Sequence, residues 1–229
     1  MKKNVVILTG AGVSAESGIK TFRDSDGLWE NHRVEDVATH EAWERNPQFV
    51  TRFYNDRRKE VLNASPNTAH LALTDLEKDF HVEIITQNID NLHERAGSKH
   101  VTHLHGEITK LRSDRHPEYI VDIDGWEQTY GEKDPWGEPL RPHVVWFGEA
   151  VPMIEPAMEL CRKADFFIVI GTSLNVYPAA GLLHYVPSNC KIYLVDPKPV
   201  NTSVKNITCF QEKASTGVPK AVKEIISQR

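Results

Sequence analysis

Residues 4–18 read NVVILTGAGVSAESG, and the reading of this stretch decides the fold. Val5 to Leu8 form a short apolar run of strand type, Gly10 and Gly12 break it, and Ser14 to Ser17 stand where a helix would begin. A strand, a glycine turn and a helix start can cradle a phosphate, because small residues let backbone N–H groups and the helix dipole approach the anion. The same spacing also describes a tight turn with glycines at positive φ. Taken alone, GxGxxA leaves both readings open.

Three more apolar runs end in polar or glycine-containing clusters: VEII before TQNID, FFIVI before GTS, and IYLV before DPKP. Helix-like stretches lie between them, at residues 66–78, 155–163, 178–185 and 219–227. Strands alternating with helices predict a parallel α/β sheet. In such sheets ligands bind outside the carboxyl ends of the strands, where all four clusters would lie. That coincidence favours the phosphate reading.

At 229 residues the chain fits one sizeable domain, or a domain with an insertion, and can bury a substantial core. Its net charge of −5 argues against nucleic acid or an anionic membrane as the main partner. The basic start Lys2-Lys3 precedes an apolar run too short for a signal peptide, and no run is long enough to span a bilayer, so a cytoplasmic location is expected. The three cysteines, Cys161, Cys190 and Cys209, are odd in number and far apart, which predicts small buried thiols rather than a disulfide framework.

Residues 20–65, charged and helix-like, and residues 108–141, rich in Pro, Gly, Asp and aromatic residues, break the alternation and read as insertions forming a smaller module. An ordinary dinucleotide site would continue into a second strand ending in a ribose-binding acid about 20 residues on. Here the chain runs into GIKTFRDSDGLW, and no apolar strand delivers Asp24, Asp26 or Glu30. Hydride transfer is therefore disfavoured by its own fingerprint.

TGAGVSAESGIKTFR (9–23), TQNIDNLH (86–93), His105-Gly106, RPHVVWFGE (141–149) and GTSLNVYPA (171–179) stand in the order seen in sirtuins. The chain resembles that family of NAD-dependent protein-lysine deacylases over nearly its whole length, and GLWENHRVEDVAT resembles its bacterial branch. The resemblance implies a Rossmann-like sheet part, residues 1–20, 66–107 and 142–229, with a small inserted module, residues 21–65 and 108–141. It also implies that NAD is consumed: the acyl oxygen of a modified lysine attacks the nicotinamide ribose, nicotinamide leaves, and the acyl group departs on ADP-ribose.

On this resemblance Gly10, Ala11, Gly12 and Ser14 would hold the NAD pyrophosphate, with Arg23 adding a charged contact and Phe22 covering nicotinamide. Asn88 and Asp90, two apart after a strand, can meet a carboxamide and a ribose, or cap the helix-like NLHERAG. The family favours the first use: Gln87 and Asn88 at the ribose or a nearby water, Asp90 orienting nicotinamide, with Trp29 and Ile89 beside them. Gly171, Thr172 and Ser173 would contact ribose or phosphate, while Asp196, Pro197, Lys198 and Ala214 would lie by the adenosine. Val145, Phe147, Gly148, Glu149, Leu174, Asn175 and Val176 would pair with the acylated peptide as an added strand.

His105 is the proposed general base, because imidazole titrates near neutrality and can accept a ribose hydroxyl proton. Among eleven histidines, the following Gly106 and the family motif select it over His103. Two rivals are a hydride-transferring oxidoreductase, which would produce reduced cofactor, and a non-catalytic reader of ADP-ribose or acyl-lysine, which would release no nicotinamide. A monomer is expected.

Sirtuins typically carry a four-cysteine zinc ribbon where residues 107–140 contain no cysteine. The expectation is a zinc-free module held by Tyr119, Ile120, Val121, Trp126, Tyr130 and Trp136, with Asp114, His116, Glu118 and Asp122 as solvated charge. Within VTRFYNDRRKEV, a helix over 49–62 puts Val50, Tyr54, Arg57 and Val61 on one stripe, with Arg58 and Lys59 solvated. A guanidinium and a phenol three residues apart can grip a carboxylate, although Arg57 could instead pair with Asp56 or Glu60. Tyr-x-x-Arg resembles the sirtuin class that removes succinyl and malonyl groups, which implies desuccinylation alongside deacetylation.

Overall fold

A computed structural model describes residues 2–20, 28–29, 32–200 and 207–229. Strand β1 (Asn4–Thr9) is buried from Val5 to Thr9 because it is central and covered on both faces, which is why its sequence is continuously apolar. It pairs in parallel with β4 (His81–Thr86), Val5 opposite Val82, and with β9 (Phe166–Ile170), Val5 opposite Phe166. Adding β5 (Val101–His103) beyond β4, and β10 (Lys191–Val195) and β11 (Ile207–Phe210) beyond β9, gives a six-stranded parallel sheet of order β11-β10-β9-β1-β4-β5. This is a Rossmann-like α/β architecture.

Alternate residues of the strands feed two cores. Val5, Ile7, Val82 and Ile84 pack against α4 (Thr68–Leu76) and α7 (Ala214–Ile226). Val6, Leu8, Phe167 and Val169 pack against α6 (Ile154–Cys161) and a 3-10 helix, Ala179–Tyr185. Full burial of a side chain such as Leu73 or Leu8 contributes roughly 1.5–3 kcal/mol. The short helix α5 (Leu92–Ala96) follows β4 and ends at Gly97, whose φ of 107° lets the chain reverse.

The inserted module is mixed. A hairpin of β2 (Leu28–Trp29) and β3 (His32–Arg33) precedes α1 (Val34–Val37), α2 (His40–Arg45) and α3 (Pro47–Asn63). Asn46 starts α3 by accepting the Phe49 N–H, and Pro47 sits in its first turn, where a missing N–H costs nothing. An antiparallel sheet of order β7-β6-β8 follows, from β6 (Gly106–Ser113), β7 (Ile120–Asp122) and β8 (Leu140–Val144). The module's core joins Val37, Trp43, Phe53, Tyr54, Ile108 and Trp146. Among the described residues no helix is long and apolar enough to cross a membrane.

Several expectations are corrected. The residues after β1 form two 3-10 turns, Ala11–Val13 and Ala15–Ser17, rather than a helix; Gly12 and Ser14 favour helix weakly, and Gly18 at φ 91° ends the run. Neither Gly10 nor Gly12 has positive φ. The last helix begins at Ala214, carrying Pro219 inside it. Arg58 is fully buried, donating to the Ile108 and Trp126 carbonyls and to Asn55 Oδ1, whereas Lys59 is exposed. Ile120, Trp126, Tyr130 and Trp136 are exposed, so they are not the module's core. Asp114 is not solvated charge: it lies 3.3 Å from Arg141 Nε, its side chain 16% exposed. Of the cysteines only Cys161 is buried, and all three are free thiols.

Candidate active site

The loops after β1, β4, β9 and β10 gather at the carboxyl edge of the sheet. Two of them touch backbone to backbone: Gly10 N–H donates to the Ile170 carbonyl at 3.0 Å and Gly12 N–H to the Gly171 carbonyl at 2.9 Å. A Cβ on Gly10 would lie 2.8 Å from the Thr172 Cβ, and one on Gly171 would lie 2.5 Å from the Val13 nitrogen. The glycines are thus required by the contact between the turns, a reason the sequence alone did not show. Asn67, the cap of α4, steadies the same loop by donating to the Val13 carbonyl and Ser17 Oγ.

Residues 86–90 form the centre. Asn88 Nδ2 donates to Ser14 Oγ at 3.2 Å and to the Gly10 carbonyl at 3.3 Å, and Ser14 Oγ donates to Asp90 Oδ2 at 3.0 Å. Gln87 Nε2 donates to Thr172 Oγ1 at 3.1 Å, and Thr172 Oγ1 also accepts the Leu174 N–H. One polar network therefore ties the loops after β1, β4 and β9. The N-cap of α5 is Asn91, which makes no side-chain cap, while Asp90 one residue earlier accepts the Leu92 N–H on its Oδ1. Burial raises the Asp90 pKa, while the Leu92 and Ser14 hydrogen bonds act against that.

His105 lies between β5 and β6, its Nδ1 2.8 Å from the Gln87 carbonyl. A carbonyl only accepts, so Nδ1 carries the proton and Nε2 keeps its lone pair. Burial lowers the pKa, partly offset by that bond, so the ring is neutral at neutral pH. Gly106 fixes the turn behind it: φ is 79°, and a Cβ there would sit 2.1 Å from the His143 carbonyl oxygen.

Other named residues fall around this centre. Ile89, Asp90, Trp29, Lys20 and Arg57 line one small cleft. Asp196 is buried, its Oδ1 accepting the Lys198 N–H across a turn, and Ala214 is buried at the start of α7. That start is tied to the loop after β1 by Glu16, which accepts from both Ser215 N and Oγ. Phe147, Gly148, Asn175 and Val176 are exposed, Val145, Ser173 and Leu174 partly so. The Glu149 carboxylate pairs with Arg112 and Arg141 and accepts the Trp146 N–H, which fixes the WFGE turn. Phe22 and Arg23 lie outside the described residues.

Arg57 Nη2 bonds Glu60 Oε1 at 2.7 Å, the pairing held open as an alternative, and its guanidinium lies 5.5 Å from the Phe53 ring. Tyr54 is fully buried and accepts from Trp146 Nε1 at 2.8 Å; burial raises its pKa and keeps the phenol protonated. The sequence reading missed a layer beneath the site. Thr9 and Thr86, in register on neighbouring strands, bond at 2.8 Å, and His93 lies 3.1 Å from Thr9 Oγ1. Two threonines that each end an apolar strand were the available signal.

The model of the Sir2 family matches residues 10–178. An NAD-dependent protein deacylase of Bacteroides thetaiotaomicron is 56% identical over 222 residues, 94% of this chain and 95% of that protein. A solved Sir2 homologue in complex with NAD superimposes with a TM-score of 0.89 at 38% identity, covering 99% of this chain and 91% of its own. A Sir2 homologue with three substitutions, bound to 2'-O-acetyl ADP ribose, gives a TM-score of 0.89 at 38% identity over 99% of this chain and 93% of that one.

Proposed function

Given that the chain belongs to the Sir2 family and is an NAD-dependent protein deacylase, we propose that His105 is its general base, that Asn88 and Asp90 complete the catalytic set, and that Arg57 extends its range to succinyl-lysine and malonyl-lysine. The observation that carries the first part is the network running from His105 through Gln87 to Thr172, beside the Asn88–Ser14–Asp90 chain.

The residues present fit NAD. The N–H groups of Gly10, Gly12 and Gly171 bond the Ile170, Gly171 and Val195 carbonyls, so these glycines bring the two turns together, and a pyrophosphate would lie beside that contact. Amides, hydroxyls and one carboxylate converge where ribose hydroxyls and a carboxamide need both donors and acceptors. The chemistry supplied by bound NAD is an activated ribose carbon and a departing nicotinamide. Asp90 accepts from the carboxamide, Gln87 and Asn88 hold the ribose, and His105 Nε2 takes a hydroxyl proton. Thr172 and Ser173 meet ribose or phosphate, while Asp196, Pro197, Lys198 and Ala214 border the adenosine. The acylated peptide lies along Val145, Phe147 and Gly148 on one side and residues 174–176 on the other.

Arg57 shares a cleft with Asp90, which brings a cation close to the nicotinamide end of the site. Arg57 pairs with Glu60, whose side chain is half exposed, and a succinyl carboxylate can compete with it for the guanidinium. Tyr54, already accepting from Trp146, keeps its own proton to donate. Loss of a buried carboxylate contact costs about 2–5 kcal/mol. Arg57→Met should therefore depress desuccinylation far more than deacetylation, measured as kcat/KM on matched peptides by mass spectrometry. Equal loss on both peptides, or no wild-type activity on the succinyl peptide, would remove Arg57 from this role.

The inserted module works without zinc in this reading. Residues 107–140 hold no cysteine, and among the described residues no cluster of three His, Cys, Asp or Glu side chains is placed to bind a metal ion.

A further inference from the structure

His103 and His105 sit two residues apart, and each reaches a carbonyl of the same turn. His105 Nδ1 is 2.8 Å from the Gln87 carbonyl, and His103 Nδ1 is 2.9 Å from the Asn88 carbonyl. The second ring nitrogen separates them. His103 Nε2 lies 2.8 Å from Glu94 Oε1, on α5. A carbonyl and a carboxylate are both acceptors only, so both contacts are hydrogen bonds only when both nitrogens of His103 are protonated. Two histidines on one short segment are thus set to opposite protonation states, His103 charged and His105 neutral.

We propose that His103 is a positioning residue of the deacylase site, a doubly protonated ring that clamps the Asn88 carbonyl to Glu94 and so holds the Gln87–Asp90 turn in place. The inference rests on the functional reading above. With its carbonyl held, Asn88 directs its amide at Gly10 and Ser14, and Ser14 in turn holds Asp90. The positive ring also favours the ionised form of Asp90 against its burial. The titratable groups around His103 are Glu94 and His93 on α5, Asp90 in the turn, Glu107 and Lys110 on β6, and His143 on β8, with His93 and His143 both shifted toward the neutral form by burial. Burial opposes the charge on His103 and is the largest single influence, but the hydrogen bond and charge of Glu94, with the Asn88 carbonyl and Glu107, together outweigh it and raise the pKa.

The test has two arms. In proton–nitrogen correlation NMR near neutral pH, wild-type His103 should show both ring nitrogens protonated and His105 only Nδ1. In Glu94→Gln, His103 should lose one proton. Its kcat/KM should fall by about tenfold to a hundredfold through a loosened turn, with the acidic limb of the pH profile moved to higher pH as the Asp90 pKa rises. Glu94→Asp, which keeps the charge, should recover part of the loss. A singly protonated wild-type His103, or a Glu94→Gln profile that does not move, overturns the clamp. Absence of nicotinamide release from the wild type would instead overturn the functional reading, and the NMR would still decide the clamp.

Discussion

Ser113 Oγ lies 2.7 Å from Asp134 Oδ2, and this one hydrogen bond joins two turns of the inserted module. Ser113 Oγ accepts the N–H groups of Arg115 and His116, and Asp134 Oδ1 accepts those of Trp136 and Glu138. Burial acts against the Asp134 charge, but these hydrogen bonds outweigh it and hold the carboxyl below the usual range. Each turn therefore closes around one side chain, and the two side chains bond to each other. Asp134→Ala should lower Tm, a chelator should leave the wild-type Tm unchanged, and elemental analysis should find far less than stoichiometric zinc. Zinc at one ion per chain would refute the metal-free module.

Arg58 and Lys59 are neighbours with opposite fates. Arg58 satisfies the Ile108 and Trp126 carbonyls and Asn55, so Arg58→Met strands buried acceptors at about 1–3 kcal/mol each. Lys59, exposed with Nζ 4.9 Å from the Trp126 ring, should tolerate Lys59→Met within about 0.5 kcal/mol. Urea unfolding of the two variants checks this. Similar small losses in both would contradict the assignment.

His70 and His93 are buried with ring centroids 4.9 Å apart, and both are held neutral by burial, His70 down to about 4. Their folded pKa values lie below the unfolded value, so between the two the unfolded chain binds more protons and stability falls as pH falls. For His70 the loss begins below about pH 6.5 and, continued to its folded pKa, is on the order of 3 kcal/mol. Asp90, raised by burial, works in the opposite sense, so the His70 contribution is best isolated by variant. In His70→Gln the decline of unfolding free energy with acidification should be shallower than in wild type. An identical slope would show that His70 takes no part.

The sheet was legible because its strands are continuous apolar runs, each ending in polar or glycine residues where ligands gather. The convergence of Asn88, Asp90 and Thr172 followed from that placement, whereas His105 was singled out by the following Gly106 and the family motif. Arg58 was not legible: α3 buries Thr51, Asn55 and Arg58 as well as Val50, Tyr54 and Val61, because residues 108–128 cover a second side of it. A single-stripe reading cannot register a second cover drawn from distant sequence. The exposed Trp126 and Trp136 misled for the converse reason, since hydrogen-bonded turns rather than apolar packing close that end of the module. The role of His103 depended on Glu94, nine residues away on another element, which no local motif encodes.

The most direct test is nicotinamide release with NAD and an acetyl-lysine peptide, comparing wild type with His105→Ala. The structure places the His105 ring neutral, its Nδ1–H on the Gln87 carbonyl and its Nε2 able to take a proton. Wild type should release nicotinamide in step with deacylated peptide, and His105→Ala should lower turnover by about 10²–10⁴-fold. Wild-type turnover in His105→Ala would contradict the account.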